Sequence, residues 1–226
     1  MTKIEGILFD LDQTLMDRDK SLHLFLDKQW NKQKSLQAIS KNDFITKFIE
    51  LDKNGIVWKD EVYSQILNDF GIKDIHYNDL LTDYLANFSQ NAVLFPDVMD
   101  VLQTCENQKI KLGIITNGRE DLQSSVIRAC NLDQIMDVIL ISEVEGIKKP
   151  DPIIFKSALN HLSLSPASCI FIGDNPDTDI KGAYNVGMKA IWKENKLFQE
   201  PDKSITSSTF TDFKDLLSIL DNLIKS

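Results

Sequence analysis

The sequence has little of what a zinc or disulfide protein needs: three histidines and three cysteines in 226 residues, with no CxxC pair and no HExxH run. Cys105, Cys130 and Cys169 are odd in number, widely spaced and set among apolar neighbours. They read as small buried hydrophobes in a reducing compartment. No apolar run approaches the length of a membrane span, and the opening "MTKIEGILFD" runs into an acidic strand end where a signal peptide would need a cleavage region. A cytoplasmic location is therefore expected. Positive charge is short as well: the formal net charge is -9, which disfavours nonspecific binding to nucleic acid polymers or an anionic membrane. A small anion held at a local site is not excluded. Internal repeats and low-complexity linkers are also missing.

What is present is a chain 42% hydrophobic and 26% charged, enough to build a substantial core. Nearly continuous apolar runs at 4–10, 110–116, 137–142, 168–174 and 188–193 predict strands of a parallel sheet covered on both faces. Helical stretches at 97–108, 119–130, 151–162 and 177–187 alternate with them, and an amphipathic helix is predicted over 212–225. Alternation of this kind implies right-handed βαβ units and a Rossmann-like, doubly wound α/β core. Residues 16–94 differ, with no strand-like run and four expected helices near 20–37, 41–52, 59–70 and 78–88. Ser40 with Asp43 three places on suits a helix start. The expected organisation is a core of 1–15 and 95–226 with an all-helical insert at 16–94.

In an open α/β sheet, ligands bind beyond the carboxyl ends of the strands. The first strand ends in Asp10, Leu11, Asp12, Gln13, Thr14 and the second in Thr116, Asn117, Gly118. The third is followed by "EVEGIKKPDP" and the fourth ends in Gly173, Asp174, Asn175, Pro176, Asp177, Thr178, Asp179. One rim would thus gather a carboxylate cluster, a hydroxyl with adjacent amide donors, and a lysine. Carboxylates so close repel one another, and a hard divalent cation, Mg2+ before others, keeps them ionised together. Thr116, the amides of Asn117 and Gly118, and Lys149 can donate to a phosphate. The set matches the needs of phosphoryl transfer.

"DLDQT", "ITNG", the "KP" of "GIKKPDPIIF" and "GDNPDTD" resemble, in order, the four motifs of the haloacid dehalogenase-like (HAD) hydrolase superfamily. The insert resembles that superfamily's helical C1 cap, as in phosphoglycolate phosphatase-like and nucleotidase-like members. The entry "DLDQTLMDRDKSL" leans toward the latter. The resemblance implies Asp10 as the nucleophile that forms an aspartyl-phosphate and Asp12 as the general acid/base. It implies Thr116 and Lys149 as phosphate-binding positions, and a Mg2+ site from Asp10, the main-chain carbonyl of Asp12, and Asp174. Asp179 would either ligate the metal or hold the lysine, with Thr14, Asn117 and Gly173 in support. Lys148 reads as solvated charge, Asp177 as a helix N-cap, and His23, His76 and His161 as surface or interface residues. Asp17, Arg18 and Asp19 are either substrate contacts or linker.

The expected activity is Mg2+-dependent hydrolysis of a small phosphomonoester by a monomer or homodimer. A nucleoside monophosphate, phosphoglycolate or a sugar phosphate all suit. A phosphomutase of the beta-phosphoglucomutase type would use the same Asp10 and Asp12. A noncatalytic phosphate binder or receiver-like domain fits less well, given the large insert, and a dehalogenase would lack Asp12 and Asp174.

Overall fold

The structure, a computed structural model, describes residues 3–224, so Lys225 at the end of the last expected helix lies outside the described residues. The chain divides into two compact units. One combines the chain up to Arg18 with everything from Val93 onward, and the other is Asp19–Ala92.

The first unit is built on strands β1 (Gly6–Phe9), β2 (Lys111–Thr116), β3 (Val138–Ile141), β4 (Cys169–Gly173), β5 (Lys189–Lys193) and β6 (Ser208–Phe210). They form one sheet in the order β3-β2-β1-β4-β5-β6 with every neighbouring pair parallel. The first five lie where the apolar runs place them. β6 carries no such signal, because only Phe210 of its three residues is buried, as befits an edge. β1 and β4 are buried throughout, since helices cover both faces of a parallel sheet. Leu8, Ile115 and Phe171 belong to one core cluster with Ile154, Phe155 and Leu159, and the Phe155 and Phe171 rings meet edge to face at 5.2 Å. Burying each such side chain contributes about 1.5–3 kcal/mol. The chain steps outward from β1 to β3 and then crosses back to β4. The switch point therefore opens beyond the carboxyl ends of β1 and β4.

Helices numbered along the whole chain are α1 (Arg18–Lys32), α2 (Lys41–Asp52), α3 (Lys59–Asp69), α4 (Tyr77–Asn87), α5 (Val98–Asn107), α6 (Glu120–Ala129), α7 (Ser142–Glu145), α8 (Pro152–Leu162), α9 (Lys181–Asn185) and α10 (Phe213–Ile224). The helix expected over 177–187 is instead a wide single turn, Pro176–Ile180, followed by the short α9. Asp177 does not cap it. Asn175 does, its Oδ1 accepting from the Asp177 and Thr178 amides at 3.0 and 3.1 Å. Pro176 has no amide, so the first free donors fall at 177 and 178, within reach of a side chain at 175.

The second unit is all helical and has its own centre. Phe25 packs edge to face on Tyr84, and Phe48 on Tyr63, each at 5.2 Å. Gln29, 1% exposed, accepts from the Tyr63 hydroxyl at 2.7 Å and donates to the Leu80 carbonyl and Asp83. A buried polar group so fully paired fixes how α1, α3 and α4 meet. Ser40 caps α2 through the Asp43 amide, as its spacing predicts, and His76 caps α4 through the Asn78 amide. Trp30 and Trp58 are half-buried.

Cys105 and Cys169 are buried and Cys130 is half-buried, all three as free thiols. Burial pushes them up to about 12, 11 and 11 respectively, far from a reactive thiolate. Among the described residues no helix is long and apolar enough to cross a membrane.

Candidate active site

β1 delivers the first acid. The Asp10 amide donates to the Ile172 carbonyl at 2.9 Å, which extends the β1–β4 ladder by one bond. The chain then turns sharply: the Leu11 carbonyl accepts from the amides of Thr14, Leu15 and Met16. Gln13, within this turn, adopts a left-handed φ of 59°. Asp10 is thereby held against the sheet, while Asp12 is displaced sideways toward α6.

Lys149 sits at the centre, 2% exposed, with Nζ 2.6 Å from Asp10 Oδ1 and 2.8 Å from Asp179 Oδ1. Its main chain is fixed by Asn117, whose Oδ1 accepts from the Lys149 amide at 2.9 Å and whose Nδ2 donates to the Lys149 carbonyl at 3.0 Å. This two-way clamp joins the loop after β2 to the loop before α8. Lys148, by contrast, is exposed. The Gly118 amide donates to Ser142 Oγ at 3.0 Å.

Asp174 and Asp179 follow β4. Asp179 is engaged at both oxygens, Oδ1 by Lys149 and Oδ2 by the Asn175 amide at 3.0 Å. Asp174 accepts from Asn195 Nδ2 at 2.6 Å and, at a long 3.5 Å, from Thr14 Oγ1. Its carbonyl takes the Trp192 indole N–H at 2.7 Å. Gly173 allows this crowding, because a Cβ there would lie 2.4 Å from Asp179 Oδ2. Gly173→Ala is expected to displace Asp179 and destabilise the protein by about 1–3 kcal/mol, read as a lower thermal midpoint.

The carboxylates of Asp10, Asp174 and Asp179 each place an oxygen within 4.8 Å of the others. The Lys149 ammonium meets two of these three carboxylates, Asp10 and Asp179, in a buried space. Burial, with the neighbouring Asp179 and Asp174, pushes Asp10 well above the usual carboxylate range, and Lys149 only partly offsets this. Burial and Asp179 likewise raise Asp174 to about 6, against the opposing pull of Asn195, Lys149 and Lys193. Burial pulls Lys149 down, but Asp10 and Asp179 outweigh it and hold the ammonium above its ordinary value. An all-oxygen donor set with excess negative charge suits a hard divalent cation. Nearby, Thr116 is fully buried, yet among the described residues its Oγ1 has no hydrogen-bond partner. A buried hydroxyl in that condition costs free energy unless something else occupies it.

The positions expected to act together thus converge: Asp10, Lys149, Asp174 and Asp179 directly, with Thr14 and Asn117 as props. Asp12 stands apart from the carboxylate cluster. Its Oδ2 accepts from Gln123 Nε2 at 2.7 Å. Sequence reasoning missed Gln123 and Asn195. The signal for Gln123 is a polar residue on the buried stripe of α6, three and four places before Val126 and Ile127. Asn195 follows the end of β5 by two residues, so the strand-end rule, applied to the fifth strand as to the others, would have found it.

A family model described as haloacid dehalogenase-like hydrolase matches residues 7–193. Among characterised proteins, a glyceraldehyde 3-phosphate phosphatase of Pyrococcus furiosus is 29% identical, covering 98% of this chain and 95% of that one. A phosphoglycolate phosphatase of Aquifex aeolicus is 27% identical, covering 96% of this chain and 97% of its own length. The crystal structure of the putative HAD-hydrolase YfnB from Bacillus subtilis, bound to magnesium, shares the fold with a TM-score of 0.77 at 23% identity, over 97% of this chain and 100% of that one.

Proposed function

The chain belongs to the haloacid dehalogenase-like hydrolases, and on that footing we propose that it is a Mg2+-dependent phosphatase acting on a small phosphomonoester through an aspartyl-phosphate on Asp10. The observation that carries this reading is the buried cluster of three carboxylates around one lysine, together with the buried Thr116 hydroxyl at the end of β2, which has no hydrogen-bond partner among the described residues. The phosphatase names of the Pyrococcus and Aquifex proteins support it.

Asp10, Asp174 and the main-chain carbonyl of Asp12 would hold the metal. When bound, Mg2+ supplies positive charge that keeps the carboxylates ionised and draws electron density from the phosphoryl oxygens. Asp179, engaged at both oxygens, serves to hold Lys149. Lys149 and Thr116 bind the phosphoryl oxygens. An Asp10 carboxylate oxygen attacks phosphorus, the bond from phosphorus to the ester oxygen breaks, and the leaving oxygen keeps the electron pair. Asp12 gives that oxygen a proton, releasing the alcohol. Asp12 then takes a proton from water as the water oxygen attacks the aspartyl-phosphate. Inorganic phosphate leaves and the Asp10 carboxylate is restored.

The test is release of inorganic phosphate from glyceraldehyde 3-phosphate, phosphoglycolate, phosphoserine, a sugar phosphate and a nucleoside monophosphate, with Mg2+ or with EDTA. Turnover of at least one ester that EDTA abolishes is expected. Folded protein that turns over none of them overturns the reading.

Thr116→Val gives a second test, since the two side chains are nearly the same size. Removing a buried, unpaired hydroxyl is expected to leave stability unchanged or raise it by about 1 kcal/mol. KM for the phosphoester should nevertheless rise about tenfold, as one donor to the phosphate is lost. Thermal unfolding and steady-state kinetics on the same preparation read both effects.

A further inference from the structure

Gln123 has no role in the steps above. It lies on α6, 4% exposed, with Nε2 2.7 Å from Asp12 Oδ2 and 3.3 Å from the Asn117 carbonyl. Two acceptors at the same end fix the amide's orientation, because its oxygen turned that way would face two oxygens with no proton between them. Gly118 makes the approach possible: a Cβ at that position would sit 2.5 Å from Nε2.

We propose that Gln123 is the positioning residue for the general acid/base, an inference that rests on the role given to Asp12 above. Nε2 can only donate, so Asp12 Oδ2 is kept as an acceptor. Oδ1 is then the oxygen left to exchange a proton with the leaving group. Without this contact the carboxyl group turns freely about its side-chain bonds and its proton is shared between two oxygens and several directions. General acid catalysis needs that proton within hydrogen-bond reach of the departing oxygen. The second contact, to the Asn117 carbonyl, registers Asp12 against the residue whose side chain clamps the Lys149 main chain. Acid and phosphate-binding lysine are thus set from one reference point.

The experiment compares two classes of ester: the alkyl phosphate that the wild type turns over fastest, and 4-nitrophenyl phosphate, whose leaving anion departs without a proton. The quantity is kcat/KM, which covers the steps up to departure of the leaving group. The variants are Gln123→Ala and Gln123→Met, the second keeping the buried volume without the donor. For both, kcat/KM on the alkyl ester is expected to fall about 30-fold, and on the nitrophenyl ester by less than about threefold. An equal fall on both esters, or no fall on either, overturns the positioning role. A wild type that turns over no alkyl ester overturns the phosphatase reading itself and the proposal with it. The wild type's own turnover tells these failures apart.

Discussion

Asp10→Asn is expected to abolish metal-dependent phosphate release, lowering kcat on the order of 10^4-fold or more, while the protein stays folded. The side chains are nearly isosteric, and the amide nitrogen cannot form the bond to phosphorus that the carboxylate oxygen forms. The sign of the stability effect separates loss of chemistry from loss of fold. In the wild type, burial and two neighbouring carboxylates disfavour the ionised form of Asp10. Replacing it with a neutral group removes that repulsion while Lys149 keeps Asp179 as its partner. In EDTA the variant's thermal midpoint should equal or exceed the wild type's. Added Mg2+ at about a hundredfold its dissociation constant should stabilise the wild type by about 2.7 kcal/mol, and the variant by much less. A midpoint well below wild type in EDTA would mean that Asp10 matters to the fold, and activity data on the variant would lose their meaning.

Lys149→Met should have the largest effect on stability. The side chain is buried and its ammonium meets two carboxylates at 2.6 and 2.8 Å. Methionine fills the volume but takes away the ammonium that meets Asp10 and Asp179, and breaking a buried pair from one side costs about 3–5 kcal/mol. For a chain of this length that is a fall of about 10 °C in the thermal midpoint. Lys148→Met, one position away and exposed, is the control, expected within about 0.5 kcal/mol of wild type. Mg2+ should recover part of the Lys149→Met loss, since a divalent cation answers the same excess of negative charge. Equal effects at 148 and 149 would remove Lys149 from the centre of the cluster.

Much of this arrangement was legible in the residues. Five strands followed from runs such as "SCIFIGD" and "IKLGIIT", because burial on both faces leaves a continuous apolar signature. The acids and the lysine followed from looking just past each run. β6 left no trace, since an edge strand of three residues with one buried side chain has no period to detect. The helix start at 175–177 was misread, as aspartate is a strong capping residue and only the missing amide of Pro176 shifts the cap to Asn175. Asp179 could not be assigned from its motif alone. Its contact with the Lys149 ammonium exists only when β4 and the loop after β3 are brought together, whereas the Asn175 amide reaches it within the loop after β4 itself.

The pairing of β1 with its neighbours bears on the order in which the molecule is made. β1 lies between β2 and β4, yet Asp10 and Lys149 are 139 positions apart, and Thr14 and Asp174 are 160 apart. During synthesis β1 emerges before either partner, with both of its edges unpaired, and waits for β2 until the whole of Asp19–Ala92 has been added. It waits longer still for β4. Helices α1 to α4 lie wholly within Arg18–Asn87 and can settle meanwhile, as contacts of shorter sequence separation form faster than long-range pairing. The nascent chain therefore carries a folded helical bundle beside an exposed apolar strand. That strand is the segment a chaperone would be expected to protect, and the window in which aggregation competes closes only when Cys169–Gly173 has left the ribosome.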